Sequence, residues 1–201
     1  MVQAGDKLQA GLEFHGHKCP AMPLGLRAAE TAMNKLGVER TGAKDLVALL
    51  ELGEDHCAHC YADGVQVMTG CTFGKGNIRQ LGYGKFGLTL VDRKSGRAVR
   101  VVPKAEVQLQ SQKSDFFQNY RMKGVPPTEV PDEVVQPMID KVMAAPAEAL
   151  FNVGEVSAYS GDVSGESFNS FVCEECGDLV VEEYGRVKHG KKVCIPCSAG
   201  R

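Results

Sequence analysis

Four cysteines near the C-terminus constrain this chain more than any other feature. Two residues separate Cys173 from Cys176, and two separate Cys194 from Cys197, with seventeen residues between the pairs. That spacing is the layout of a tetrahedral four-thiolate zinc site, in which each pair forms a knuckle. Val180 and Val181, then Val187 to Val193, supply short strands between the knuckles, and Gly177 falls where the first must turn tightly. A segment of about thirty residues has too little core to fold alone. Thiolate coordination therefore supplies its folding free energy, and the expected fold is a zinc-ribbon or treble-clef-like finger over 167–201. His189 is left to the surface, because four cysteines complete the site.

The remaining cysteines of the eight, Cys19, Cys57, Cys60 and Cys71, raise the question of a disulfide scaffold. Their grouping argues against it. C-x2-C pairs suit metal ligation in a reducing compartment, and the first residues lack the basic-then-apolar layout of a signal peptide. No apolar run reaches the roughly eighteen residues of a membrane span, so the chain is expected in the cytoplasm without a membrane partner. A formal charge of −2 gives no general positive field. Within the finger Arg186, Lys188, Lys191, Lys192 and Arg201 are balanced by Glu174, Glu175, Asp178, Glu182 and Glu183. Nucleic acid is therefore not an expected partner; a structural or protein-docking finger is.

At the other end, His15, His17 and Cys19 alternate with Gly16 and Lys18 ahead of Pro20. Pro20 disfavours helical geometry at Cys19, and side chains two apart share a face of an extended segment, so this run reads as a strand-like clamp. Leu24, Ala28, Ala32 and Leu36 form an apolar stripe that predicts a helix over 21–36, closed by Gly37. Its N-terminal dipole would favour thiolate at Cys19. The apolar run over 45–52 predicts a strand. Tyr61, Val65 and Met68 predict a helix over about 55–69 that carries Cys57, Cys60 and Asp63 toward one site. A glycine-rich loop follows over 70–77, where Lys75 and bare amides offer an anion site without matching a P-loop. Residues 88–92 and 97–103 predict a hairpin turning at Lys94, Ser95 and Gly96. The proline-rich stretch 124–137 reads as a linker or arm, leading into a helix over 132–143 that Pro137 tolerates only with a kink. A strand-like run over 153–159 and a Ser/Gly-rich stretch precede the finger, which places the boundary between domains 1–166 and 167–201.

The order of Phe14-His15-Gly16-His17-Lys18-Cys19-Pro20, Leu24-Gly25, Cys60-x2-Asp63 and Thr69-Gly70-Cys71-Thr72-Phe73-Gly74-Lys75-Gly76-Asn77 resembles the E-type chain of formylmethanofuran dehydrogenase and its relatives. The resemblance spans about residues 11–102, and that family often carries a C-terminal zinc finger. It implies an α+β core, to which the proline-rich stretch and its helix add an arm at about 124–150, and further a metal cleft built from the first and third segments, a homodimer, and a place beside a larger oxidoreductase complex. It implies no activity for the E-type chain, because the molybdenum or tungsten pterin and the iron–sulfur relays of that enzyme belong to its other chains. His56, Cys57 and His59 are additions to the family pattern.

Mixed imidazole and thiolate donors suit zinc, and can suit iron, nickel or copper. The expected set is His17, Cys19 and Cys60, with His15, Asp63 or Cys71 as fourth ligand or outer partner and Cys57 as a further candidate, around a second transition metal, zinc by preference. Lys75, Cys71 and Asp63 are the candidates for chemistry there, provided a coordination position stays open. Rival readings take Cys19, Cys57, Cys60 and Cys71 as iron–sulfur ligands, or Cys57 and Cys60 as a redox dithiol without the expected βαβ context. The plainest takes these residues as packed core. Two functions stand against each other: a metal-dependent oxidoreductase subunit in one-carbon metabolism, and a non-catalytic metal-binding regulator that docks through its finger. A closed site of four protein ligands excludes the first.

Overall fold

The computed structural model describes residues 3–54, 59–161, 163 and 167–200, and the chain divides into two compact units, Met1–Gly161 and Asp162–Arg201. The larger unit is α+β. Its helices are α1 (Ala4–His15), α2 (Ala21–Leu36), α3 (Cys60–Thr69), α4 (Ala105–Gln112), α5 (Asp132–Ala144) and α6 (Ala147–Leu150). Its strands are β1 (Leu46–Leu50), β2 (Ile78–Gln80), β3 (Leu88–Asp92), β4 (Arg97–Pro103), β5 (Phe151–Val153) and β6 (Ser157–Ala158).

These strands form one sheet in the order β2-β1-β3-β4-β5, with β6 also on β4; β1 and β2 are parallel and the other pairs antiparallel. Every residue of β1 is buried, which is why it reads as a continuous apolar run rather than an alternating one. Leu46, Ala48 and Leu50 join Leu88, Leu90, Val99 and Val101 in the main core, against Met22, Leu26, Ala29 and Met33 of α2. The expected hairpin is present, with Asp92 opposite Arg97 and Gly96 at φ +68° in its turn.

Helix α2 has the expected bounds and ends at Gly37 with φ +71°. It crosses α3 at unusually short range. A Cβ on Gly25 would lie 2.9 Å from the Tyr61 carbonyl carbon, and one on Gly64 would lie 2.6 Å from the Leu26 nitrogen. Only paired glycines allow backbones so close. This crossing fixes the start of α3 against the start of α2.

The proline-rich stretch is not a free arm. Val125 packs on the core, and Val130, Val135 and Ile139 are buried in it. Helix α5 runs through Pro137. Pro137 has no N–H to offer the Glu133 carbonyl four residues earlier, and both residues are exposed, where water can substitute for the missing bond. The strand-like run at 153–159 is split into β5 and β6. Helix α1 was not anticipated, although Leu8 and Leu12 four apart and buried Gly11 form a narrow helical seam.

The smaller unit pairs β7 (Ser170–Val172) with β8 (Leu179–Val181), and β9 (Gly185–Lys188) with β10 (Lys191–Cys194), ending in the short helix α7 (Ile195–Ser198). The β9–β10 turn places His189 at φ +51° and Gly190 at φ +78°, the pair of positive angles that a two-residue hairpin of type I′ requires. His189 is exposed there. Buried Cys173, Val193, Cys194 and Cys197, with Phe171 and Val180 against them, make up the unit's core. Three of those four buried residues are cysteines, so apolar burial alone is a weak source of stability for this unit.

Candidate metal centres

The N-terminal run is not extended. His15 is the last residue of α1, and Gly16 closes that helix in the left-handed region at φ +85°, its N–H donating to the Leu12 carbonyl at 2.8 Å. Pro20 then caps α2. The chain between two helices, rather than strand alternation, turns His15, His17 and Cys19 to one place. Pro20 keeps Cys19 out of α1 as expected, but the reversal at Gly16 provides the convergence.

From across the α2–α3 crossing, Cys60 at the first turn of α3 joins them. One donor atom from each of His15, His17, Cys19 and Cys60 lies within 4.8 Å of all the others. His15 Nε2 is 3.1 Å from His17 Nε2 and 3.5 Å from Cys19 Sγ. A tetrahedral zinc with its usual bond lengths sets N···N edges of about 3.3 Å and N···S edges of about 3.5 Å. These two edges are thus already close to the lengths that a zinc ion imposes. Cys19 is 4% exposed and the His15 side chain 7%, so the donors are sheltered.

Asp63 stands behind the group rather than in it. His15 Nδ1 donates to Asp63 Oδ2 at 2.7 Å, which holds the ring with Nε2 toward the other donors. The carboxylate raises the His15 imidazole to about 9, with the Cys60 thiol adding to the shift. Burial, then the neighbouring charges of His15 and Arg121, lowers His17 and keeps it neutral. The hydrogen bond between Cys60 and Cys19 lowers Cys19 and raises Cys60. A cation arriving here displaces the proton that the metal-free group keeps on His15.

The other expected participants lie elsewhere. Cys71 is fully buried and its thiol contacts the Leu46 carbonyl at 3.4 Å, outside the four-donor group. Lys75 belongs to a 3-10 turn over Phe73–Lys75 and donates to the Gly42 carbonyl at 3.3 Å. His56 and Cys57 lie outside the described residues. His59 caps α3, its Nε2 3.0 Å from the Gly53 carbonyl oxygen. Asn77, which ends the glycine-rich motif and whose role the sequence does not show, is 1% exposed and closes the loop: its Oδ1 accepts from the Thr72 N–H at 2.9 Å and its Nδ2 donates to the Leu46 carbonyl at 2.9 Å.

In the finger, one sulfur from each of Cys173, Cys176, Cys194 and Cys197 meets within the same 4.8 Å limit. Cys176 Sγ is 3.9 Å from Cys194 Sγ, near the S···S edge of about 3.8 Å that a four-thiolate zinc sets. Backbone N–H groups, that of Cys176 foremost and then those of Cys194 and Glu175, pull the Cys173 thiol down to about 6 against the effect of burial. Gly177, at φ +80°, returns its N–H to the Cys173 carbonyl at 2.9 Å and makes the knuckle. All four cysteines are free of disulfides.

Comparison with known proteins agrees with the four-cysteine finger and places the core in a family. Residues 14–152 match the family model described as "FmdE, Molybdenum formylmethanofuran dehydrogenase operon", and residues 166–201 match "Prokaryotic dksA/traR C4-type zinc finger". A protein of Archaeoglobus fulgidus named "Probable S-adenosyl-L-methionine-binding protein" is 34% identical over 197 residues, which cover 92% of this chain. The chain spans about half of that relative, 50% of its length. A crystal structure of a tungsten formylmethanofuran dehydrogenase FmdE-like protein from Syntrophus aciditrophicus shares the fold, with a TM-score of 0.65 at 20% identity over 98% of this chain and 92% of that one. No described helix is long and apolar enough to cross a membrane.

Proposed function

The chain belongs to the FmdE family of the molybdenum formylmethanofuran dehydrogenase operon, and from that premise we propose that it is a two-metal accessory protein without turnover of its own. The core holds zinc through His15, His17, Cys19 and Cys60, and the finger holds a structural zinc through Cys173, Cys176, Cys194 and Cys197. The observation that carries this reading is the meeting of four protein donors at each place. Four donors saturate a tetrahedral zinc and leave no position for substrate or water. The core ion therefore joins the end of α1 and the starts of α2 and α3, with Asp63 orienting His15. Cys71 and Lys75 keep structural roles. The protein works in the cytoplasm, where its thiols stay reduced, as a homodimer that presents the finger to a larger one-carbon oxidoreductase. The family name and the free cysteines support that placement.

Zinc X-ray absorption on anaerobically prepared protein tests the ligand sets. Averaging a four-sulfur site with a two-sulfur, two-nitrogen site gives about three sulfurs and one nitrogen per zinc. A best fit that needs a water oxygen would reopen the core site to catalysis.

A second reading rests on the archaeal relative, whose shared half could carry the site its name refers to. Equilibrium dialysis against S-adenosyl-L-methionine decides it: saturable one-to-one binding supports this reading, and none at millimolar ligand removes it.

A further inference from the structure

One line of hydrogen bonds leaves the core site and reaches the surface. Asp63 receives the His15 proton on Oδ2, and its Oδ1 accepts from Gln66 Nε2 at 3.2 Å. Gln66 Oε1 in turn accepts from the backbone N–H of Phe73 at 3.2 Å. Asp63 and Gln66 are three apart on α3, so they share a face of the helix. Phe73 opens the 3-10 turn of the glycine-rich loop and is 88% exposed.

We propose that Gln66 is a positioning residue that couples metal occupancy at His15 to the conformation of the loop over 72–76. The proposal rests on the reading of His15 as a metal ligand. A primary amide is suited to this place, because one end donates to a carboxylate while the other accepts from a backbone N–H. The loop is built to transmit the change. Both its ends are fixed, with Asn77 buried against Leu46 on one side and Cys71 N–H donating to Thr69 Oγ1 at 3.0 Å on the other. Its tip is held by the turn's own bonds, Lys75 N–H to the Thr72 carbonyl and Gly76 N–H to the Phe73 carbonyl, by Lys75 Nζ on Gly42, and by Gln66. Of these contacts, the one to Gln66 leads to the metal donors. With a metal bound, His15 is locked and Asp63 and Gln66 stay in register. With the metal removed, the Asp63 bond is left to hold the His15 ring, the line from His15 through Asp63 to Gln66 is less tightly anchored, and the Phe73 amide opens more often.

Hydrogen exchange on the full chain, with and without zinc, tests the coupling. A cobalt(II) spectrum establishes in parallel whether the two-imidazole, two-thiolate core site is filled. Two substitutions separate the halves of Gln66. Gln66→Glu keeps an acceptor for Phe73 but gives up the donor and repels Asp63; Gln66→Ala gives up both. In the unsubstituted protein zinc should slow exchange of the Phe73 amide at least about threefold. In Gln66→Glu the amide should stay protected with or without zinc, while core affinity falls about tenfold, within the usual range for outer partners of metal-bound histidine. In Gln66→Ala the amide should exchange fast in both states. A filled core site with Phe73 exchange unmoved by zinc would overturn the coupling and leave the metal reading intact. A core site that takes up no cobalt would overturn the metal reading and the coupling with it.

Discussion

Replacing Gly64 by Ala changes one hydrogen into a methyl group, and the geometry of the α2–α3 crossing makes that methyl costly. The added Cβ would press on the Met22 carbonyl oxygen and lie 2.6 Å from the Leu26 nitrogen and 3.0 Å from the Gly25 carbonyl carbon. Ordinary contact begins near 3.4 Å, so the backbones must part by at least 0.8 Å along the Leu26 direction. The atoms in the way are backbone, not the mobile ends of side chains. Overpacking of this kind costs about 1–3 kcal/mol, and the better helix propensity of Ala returns at most about 1 kcal/mol. The expected net loss is about 2 kcal/mol, read as a lower urea midpoint with unchanged m-value. The same displacement moves Cys60 away from His15, His17 and Cys19 by more than the roughly 0.2 Å that metal–ligand distances tolerate, so core zinc affinity should fall at least about tenfold. Gly5→Ala in α1 is the control: nothing lies within 4 Å of its Cβ, and it should be neutral or stabilise by up to about 1 kcal/mol. A Gly64→Ala protein with native stability and native zinc affinity would refute the idea that glycine contact between α2 and α3 builds the site.

Two further perturbations follow from the electrostatics. Zinc must displace the Nε2 proton of a His15 imidazolium whose value the Asp63 hydrogen bond raises to about 9, so core affinity should climb steeply up to about pH 9. In Asp63→Asn the climb between the ordinary imidazole value of 6.5 and about 9 should be shallower, while both proteins keep gaining affinity as the Cys60 thiol, raised by its hydrogen bond with Cys19, gives up its proton. Competition with a chelator across pH measures both. Buried Glu51 accepts from Arg100 Nε at 2.6 Å and from Nη2 at 2.8 Å, and that partner depresses its carboxyl below the ordinary value of 4.5. Its contribution is complete above about pH 4.5 and is lost as pH falls through the lower folded value. Arg100→Met should cost about 1–3 kcal/mol at pH 7, discounted for the partial exposure of Arg100, and the loss should shrink in acid, as urea titrations at pH 7 and pH 4 will register.

Much of this architecture was legible where local chemistry dominates. Leu24, Ala28, Ala32 and Leu36 marked α2 to the residue, since an apolar stripe and a terminal glycine leave few alternatives. The finger was legible because paired cysteine spacing admits one tetrahedral solution, and the His189-Gly190 turn fits inside it. The meeting of the donors at 15–19 was legible in the sequence, but its shape was not. Alternation suggested a strand, whereas Gly16 ends one helix and Pro20 starts another, and a reversal between two helices gives the same convergence as a pleat. The pairing of His15 with Asp63 could not be read from spacing, because that hydrogen bond joins residues 48 apart. Gly25 and Gly64 look alike in sequence to any helix glycine; the crossing alone explains them. Pro137 misled in the same manner, since the harm of a missing N–H depends on whether the orphaned carbonyl meets water.

Metal content per chain bears most directly on the two-centre reading. Protein prepared anaerobically, its Cys60→Ser variant, and a chain truncated before the finger at Ser167 should be compared by elemental analysis. The full chain should carry about two zinc ions, the truncated chain about one, and Cys60→Ser should retain the finger ion while losing core zinc to a mild chelator. Retention of both ions by Cys60→Ser under that challenge would contradict the assignment of the core centre to His15, His17, Cys19 and Cys60.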